Sequence, residues 1–142
     1  RMDNLLSAHY ASGVKLSGVL APNDAIARGV LAALKNIGYG SSDKPLPIIT
    51  GQDAEKANII DIKNGEISMT VFKDTRVLAD KVAGMVDAVL QNKDAEINDT
   101  ESYNNGSKVV PTYLCDPTVV TKDNYKEVLI DSGYYSEQDI AG

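Results

Sequence analysis

The sequence predicts an α/β fold in which helices cover a parallel sheet. Short apolar runs alternate with longer segments of helical periodicity, in the order αβαβαβα over residues 1–92. Glycine, or asparagine followed by glycine, ends two of the helical segments, as is common at helix C-termini. Strands that alternate with helices are typical of parallel sheets, because a connection between parallel strands has to cross the sheet.

The composition narrows the functional classes. The chain has 142 residues, enough for one ordinary domain, and it contains 14 Lys and Arg but 20 Asp and Glu. An acidic chain without a basic cluster lacks the positive surface of a nucleic-acid-binding protein. The one cysteine, Cys115, excludes an internal disulfide and a multi-cysteine metal site. No apolar run reaches the roughly 20 residues of a membrane helix. We expect no cofactor.

The first three elements are a short helix, a strand and a longer helix. Asp3 is a candidate cap of the first helix, whose apolar stripe is formed by Met2, Leu5, Leu6 and the single histidine, His9. We therefore expect His9 to pack rather than to catalyse. The next strand lies in SGVLAPND. The longer helix, in DAIARGVLAALKNIGYG, has an apolar stripe formed by Ile26, Val30, Ala33, Leu34 and Ile37.

Two more strand–helix pairs follow. The second strand lies in PLPIITGQD, and AEKANIIDIKNG predicts a shorter helix that ends at Asn64 and Gly65. The third strand lies in EISMTVFKD. The helix after it has the strongest apolar face in the chain, formed by Leu78, Val82, Met85, Val86, Val89 and Leu90.

The regular alternation ends after this helix. Residues 91–108 are polar, which indicates a linker or a crossing between domains. The segment VVPTYLCDPTVV predicts an extended chain in which Pro111 and Pro117 favour an edge strand. A last helix is predicted in TKDNYKEVLIDSGYY, with Thr121 or Asp123 as its cap.

Three of the predicted strands end in polar side chains, namely Asn23, Asp53 and Lys73. In a parallel α/β sheet, ligands bind outside the carboxyl ends of the strands. The amide donates and accepts hydrogen bonds, the carboxylate accepts them and the ammonium donates them. This set suits a ligand that is dense in hydroxyl groups, and bonds to charged partners are the stronger ones.

The alternative interpretation is structural: Asp24, Asp74 and Thr75 cap helices, and solvent surrounds Lys73. Polar residues at three equivalent strand ends favour the binding site over this alternative. A phospho-acceptor receiver domain is rejected, because only 20 positions separate Asp53 from Lys73 and an aspartate follows the lysine where that family has proline. The chain also lacks a Gly-x-Ser-x-Gly elbow and a second histidine. We therefore expect no catalytic residue.

Six segments together resemble, in content and order, the C-terminal part of a type I periplasmic sugar-binding protein. They are RMDNLLSAHY, GVLAPNDAIARG, PIITGQDAE, TVFKDTRVLA, EINDTESYNNGSKVVPTYL and DNYKEVLIDSGYY. The resemblance covers essentially the whole chain and is nearest to the multiple-sugar receptors of ABC transporters. It implies a truncated, three-layer αβα lobe of a two-lobed clamshell.

The resemblance also implies a role for the three strand-end residues. In this family the asparagine of a P-N-D motif and the aspartate of a G-Q-D motif bind sugar hydroxyls, and so does the polar residue that ends the next strand. Asn23, Asp53 and Lys73 occupy those positions here. This agrees with the interpretation from the residues alone. The family also stacks aromatic side chains on the sugar, and the resemblance identifies no tyrosine for that task here.

The resemblance further implies a division of the chain. Residues 1–74 and 109–142 would form the C-terminal sugar-binding lobe, and 75–108 a helix and hinge crossing that packs on a missing N-terminal lobe. The apolar face of that helix would then lack its cover, a loss of roughly 10 kcal/mol at ~1.5–3 kcal/mol for each large side chain. We expect this face to form a homodimer, to exchange between copies, or to fold back onto the same chain.

The function implied by the resemblance is that of a transport receptor and not of an enzyme. It would bind glucose, galactose, xylose or arabinose and present the sugar to a membrane permease. The location implied is periplasmic or extracellular, with a lipid anchor as an option for the full-length protein. Two alternatives stay open: the effector domain of a sugar-responsive transcription regulator, and a half-size protein with the exposed helix face as its oligomer interface.

Overall fold

The chain folds into two compact units in a computed structural model that describes residues 1–11 and 13–141. Unit 1 combines Arg1–Phe72 with the segment from Thr118 onward, and unit 2 is Lys73–Pro117. The helices of the described residues are each too short or too polar to cross a membrane. The predicted packing of residues 75–108 on another lobe stays a prediction.

Unit 1 contains three helices, four strands and two short helical turns in its described residues. In chain order they are α1 (Met2–His9), β1 (Gly18–Leu20), α2 (Asp24–Asn36), β2 (Ile48–Gln52), α3 (Lys56–Lys63), β3 (Met69–Phe72), β4 (Thr118–Val120), a π-helical turn (Lys126–Asp131) and a 3-10 turn (Glu137–Ile140). Helix α4 (Thr75–Leu90) belongs to unit 2.

The sheet of unit 1 has the strand order β1-β2-β3-β4. The pairs β1–β2 and β2–β3 are parallel, as the alternation of strands and helices predicts. Strand β4 pairs with β3 in the antiparallel direction. It forms the edge of the sheet and begins directly after Pro117, where a residue that cannot donate a backbone hydrogen bond is tolerated. The predicted α/β class is confirmed.

The two faces of the sheet differ sharply in exposure. Ile49, Thr70 and Val120 are fully buried on the face that packs against α2 and α3. Alternate residues of a strand point to opposite faces, and on the other face Leu20 is 88% exposed and Ile48 62% exposed. The core of unit 1 therefore lies between one face of the sheet and the layer formed by these helices.

Helix α2 supplies much of this core. Val30, Ala33 and Leu34 are buried, as the sequence predicts. The predicted stripe also includes Ile26 and Ile37, which are about half exposed. The buried stripe is rotated by about one residue position along the helix and takes in Ala27 and Leu31 instead.

Three local predictions are wrong. Arg1, not Asp3, is at the N-cap of α1, and Asp3 lies in its first turn. His9 is exposed at the end of this helix and does not pack. The last predicted helix is a π-helical turn whose N-cap is Tyr125, not Thr121 or Asp123. The Thr121 hydroxyl instead accepts a hydrogen bond from the Asp123 amide at 3.3 Å, in the turn before it.

Unit 2 is built around α4 and a polar segment with little regular structure. Asp74 caps α4, with its carboxylate accepting from the Arg76 amide at 2.9 Å. Two isolated antiparallel bridges join Asp99 to Thr112 and Asn104 to Val109. No residue of α4 is buried, and what covers its apolar face stays a prediction.

The apolar face of α4 is present and accessible. Its six predicted side chains share partial or high exposure: Leu78 49%, Val82 53%, Val86 53%, Val89 65% and Leu90 77%, with Met85 intermediate. The sequence thus predicted the helix and its amphipathic pattern, and the structure leaves the pattern uncovered.

Candidate functional site

Asn23 stands at the carboxyl end of β1 and begins α2. Its backbone is extended and its side-chain Oδ1 accepts a hydrogen bond from the Ile26 amide at 2.9 Å, which makes it the N-cap. The cap uses one lone pair of the amide oxygen. The two donors of Nδ2 and the second lone pair of Oδ1 are the groups that Asn23 can offer to a ligand.

Asp53 stands directly after β2 and is exposed. It has a φ of 105°, and Ala54 has a φ of 53°. Two consecutive non-glycine residues with positive φ are uncommon and cost free energy unless the surrounding structure holds them. The short segment 53–55 is therefore a constrained loop at the edge where ligands of parallel sheets bind.

Three successive amides of this loop are each bonded to a different partner. The Asp53 amide donates to the backbone oxygen of Val71 at 2.9 Å. The Ala54 amide donates to the hydroxyl of Thr70 at 3.2 Å. The Glu55 amide donates to Oδ2 of Asp24 at 2.8 Å. We call residues 53–55 the strand-end loop.

Asp24 is the fully buried centre of this arrangement. Its Oδ1 accepts a hydrogen bond from the Thr70 hydroxyl at 2.7 Å, so both carboxylate oxygens are used. The carboxylate fits because Gly51 lies beside it. A Cβ atom on Gly51 would stand 2.1 Å from Oδ1 of Asp24, a distance that no real contact has.

Burial raises the pKa of the Asp24 carboxyl above its ordinary value. The hydrogen bonds from Thr70 and from the Glu55 amide act in the opposite direction, and the nearby acids Glu55 and Asp53 add to the rise. Tyr135 encloses the same loop from the C-terminal segment, because its hydroxyl donates to the backbone oxygen of Ala54 at 3.0 Å. Desolvation raises the pKa of this phenol also.

Lys73 is exposed and is the first residue of unit 2, directly after β3. The strand-end position predicted for it is therefore correct, and its participation in one site with Asn23 and Asp53 stays a prediction. The structural alternative is right for Asp74, which caps α4, and wrong for Thr75, which is the first residue of that helix.

The sequence interpretation missed Asp24, Thr70 and Gly51. Asp24 is not a helix cap, since Asn23 has that role and Asp24 is the first residue inside α2. The signal that points to this cluster is Gly51 in the middle of a strand, because a glycine there often marks a close approach of another group. The partner of Gly51 is 27 positions away (51 minus 24), too far for a local pattern to identify.

The donors and acceptors at this edge are of the kinds that bind hydroxyl groups. Within residues 1–11 and 13–141, no three His, Cys, Asp or Glu side chains are grouped in a way that could hold a metal. Asn23 offers donors and an acceptor after β1, and Asp53 offers an acceptor carboxylate after the adjacent strand β2.

Comparison with known proteins defines the family to which this fold belongs. The model of the periplasmic binding protein domain family matches residues 1–94, and the chain belongs to this family. It is 53% identical over 137 residues to the multiple sugar-binding periplasmic protein SbpA of Azospirillum brasilense, a match that covers 96% of this chain and 38% of the relative. It is 48% identical over 135 residues to the multiple sugar-binding periplasmic receptor ChvE of Rhizobium radiobacter, covering 95% and 38%.

A solved structure has the same fold over nearly the whole chain. It is an ABC transporter solute-binding protein from Clostridium phytofermentans with bound β-D-glucose, with a TM-score of 0.88 and 48% identity. The match covers 99% of this chain and 42% of that protein. The chain therefore spans about two fifths of the length of the relatives that it matches.

Proposed function

We propose that this chain is part of the solute-binding component of an ABC-type sugar transporter, and that it reads the hydroxyls of a monosaccharide. The observation that supports the proposal is that Asn23 and Asp53 follow the carboxyl ends of two adjacent parallel strands. A hydrogen bond from the Glu55 amide to Asp24 links the two segments, because Asp24 follows Asn23 and Glu55 lies two positions after Asp53.

The chemistry of the pair explains the ligand class. A carboxylate accepts protons from two neighbouring hydroxyls, and an amide donates to their lone pairs while it accepts one more proton. A pyranose presents neighbouring hydroxyls of this kind. We include Lys73 as the third ligand, since it follows β3, the next strand of the sheet after β2, and carries a donor.

The printed names of the relatives support the transport role. They are sugar-binding periplasmic proteins and receptors, and one solved relative is an ABC transporter component with glucose bound. These names favour the receptor over the effector domain of a transcription regulator. We infer a periplasmic or extracellular location on the same grounds, a membrane permease as partner, and glucose, galactose, xylose or arabinose as ligand.

The expected affinity of this chain by itself is low. A micromolar receptor has roughly −8 kcal/mol of binding free energy, and about half of that corresponds to a dissociation constant near 1 mM. A site that a second lobe does not enclose also leaves its hydrogen bonds open to water, which weakens them. We therefore expect millimolar binding, with fast exchange on the NMR timescale.

The test is a titration of the ¹⁵N-labelled chain with D-glucose and D-xylose, followed by amide chemical shifts. We expect saturable shifts at residues 23–26 and 53–55. Asp53→Asn should abolish them, because asparagine accepts the backbone conformation with positive φ and removes the charge. Asn23→Ser should weaken them, because serine keeps the helix cap and lacks the amide donors.

The control variant is Asp43→Asn, which makes the same chemical change at an exposed residue just before β2, on the opposite edge of the sheet. It should bind sugar as the unaltered chain does. Shifts that do not saturate, or that Asp53→Asn leaves unchanged, would show that the chain has no sugar site at this edge.

A further inference from the structure

We infer that Asp24 is the positioning residue of the proposed sugar site, fixing the strand-end loop from which Asp53 projects. The inference rests on the proposed function for its ligand, and on the hydrogen bonds of the loop for its geometry. Asp24 does not touch the sugar in this proposal. It acts through the backbone of residues 53–55.

The first step is the strain of the loop. Asp53 and Ala54 both have positive φ values, of 105° and 53°. For residues with a Cβ atom this conformation is unfavourable and persists only where other contacts determine it. Ala54 is fully buried, so solvent cannot supply partners for its backbone groups. The bonds that hold this loop therefore determine where the Asp53 carboxylate is presented.

The second step is the convergence of these bonds on one side chain. Asp24 accepts a hydrogen bond directly from the Glu55 amide. The Thr70 hydroxyl accepts from the Ala54 amide and donates to the other carboxylate oxygen of Asp24. Two of the three loop amides thus depend on the Asp24 carboxylate. Loss of an acceptor at a buried amide costs the full desolvation of that group, because water does not replace the acceptor.

The third step is the link to Asn23. Asp24 is the first residue of α2 and Asn23 is its N-cap, so the two are consecutive and share the start of one helix. A carboxylate that is locked onto the strand-end loop also holds the N-terminus of α2 against that loop. One buried side chain therefore sets both proposed sugar contacts of unit 1 relative to each other.

The fourth step is the space reserved for this carboxylate. A side chain on Gly51 would occupy the place of Oδ1 of Asp24, at 2.1 Å from that atom, and would lie 3.3 Å from Nδ2 of Asn58. The strand therefore has a glycine where a core side chain could stand, and the space holds the Asp24 carboxyl group instead of apolar atoms. Such an arrangement is expected where the polar group has a role beyond stability.

The experiment compares Thr70→Val with Thr70→Ser in the same chain. Valine has the shape of threonine without the hydroxyl, and serine keeps the hydroxyl. We expect Thr70→Val to speed hydrogen exchange of the Ala54 and Glu55 amides about tenfold or more and to weaken glucose binding about tenfold, as the loss of buried hydrogen bonds requires. Thr70→Ser should stay within about twofold in both measurements.

Two further variants keep the result decisive. Asp24→Asn should produce the same loop response as Thr70→Val, since one of the two acceptors becomes a donor. Ile67→Val removes a methylene from a side chain that is 2% exposed at the other end of β3, and it should lower global stability without opening the loop.

The outcomes separate the two proposals. Loop exchange is measured without sugar, so an unchanged loop in Thr70→Val and Asp24→Asn overturns the role of Asp24 even if the unaltered chain binds glucose. A loop that opens in a chain whose unaltered form binds no sugar supports the control of the loop by Asp24 and overturns the proposed function. An equal loop response to Ile67→Val would reduce Asp24 to a general stabiliser and contradict the inference.

Discussion

The two units of this chain differ in what their apolar side chains do. Every buried hydrophobic residue among the described ones lies in unit 1, from Leu6 to Ile140. Unit 2 contains the helix with the clearest amphipathic pattern in the sequence, and none of its residues is buried. Helices α2 and α4 therefore have similar amphipathic patterns, but only α2 buries its apolar side chains.

The difference shows what an amphipathic pattern does and does not predict. The pattern of α4 is typical of a helix whose apolar face packs on another surface, and such a face stabilises a protein only where a partner covers it. In unit 1 that partner is the sheet. For unit 2 we propose a second copy of the chain, or the part of the full-length relatives that this chain does not span.

The largest expected effect comes from the same substitution in the two helices. Leu34→Ala in α2 removes a fully buried side chain, and Leu78→Ala in α4 removes one that is 49% exposed. We expect the first to lower the free energy of unfolding by about 2–5 kcal/mol and the second by about 0.5 kcal/mol or less. Urea denaturation followed by circular dichroism measures both, and equal losses would contradict the contrast.

The next effect concerns the uncovered face of α4. If this face pairs with a second copy, sedimentation velocity should show a mass that rises with concentration towards two chains. Val86→Lys should weaken the association about tenfold or more, because a buried valine contributes ~1.5 kcal/mol or more and a buried charge opposes binding. Asp87→Lys changes a neighbouring residue outside the apolar face and should leave the mass unchanged. A mass of one chain at every concentration would contradict the proposed homodimer.

The sequence predicted the α-helices and strands of unit 1 because local chemistry determines them. Gly65 after Asn64 ends α3, Pro117 precedes an edge strand, and the apolar spacing of α2 forms a helix. The strand-end positions of Asn23 and Asp53 follow from the same periodicity. These features depend on neighbours within a few positions, which a single sequence displays.

The parts that the sequence did not predict depend on contacts between distant positions. Asp24 was interpreted as a cap, and its burial depends on Gly51 and on Thr70, 46 positions further along the chain. The antiparallel direction of β4 depends on where the chain returns after unit 2. His9 lies on an apolar stripe and is exposed, because only Leu6 of α1 is buried.

The two helix caps allow a matched test of about 1 kcal/mol. Asn23 caps α2 and Asp74 caps α4, each accepting from an amide at 2.9 Å. Asn23→Ala should lower the free energy of unfolding of unit 1 by about 1 kcal/mol, since α2 is packed in its core. Asp74→Ala should act on α4 and increase amide exchange at residues 75–78. Urea denaturation and hydrogen exchange distinguish the two, and an Asn23→Ala chain of unchanged stability would exclude the cap.

The smallest expected effect is the response of each unit to acid. A hydrogen bond from the Lys56 ammonium, together with the amide and hydroxyl of Ser136, lowers the pKa of Asp139 in unit 1 to about 2. The unfolded chain binds this proton more tightly, so the stabilisation is present above pH ~4 and is lost as the pH falls towards 2. Asp139→Asn should therefore be slightly less stable than the unaltered chain at neutral pH, and the difference should vanish in acid.

Asp99 is the matched residue of unit 2, because the hydroxyl and amide of Ser102 and the amide of Glu101 lower its pKa as well. Asp99→Asn should remove the corresponding titration, seen by NMR at the amides of residues 101 and 102. It should leave the pH dependence of unfolding of unit 1 unchanged, because the Asp99 carboxylate accepts its hydrogen bonds from Glu101 and Ser102 in the same turn. If Asp99→Asn instead alters that dependence as much as Asp139→Asn does, unit 2 contributes to the cooperative core and the contrast between the units fails.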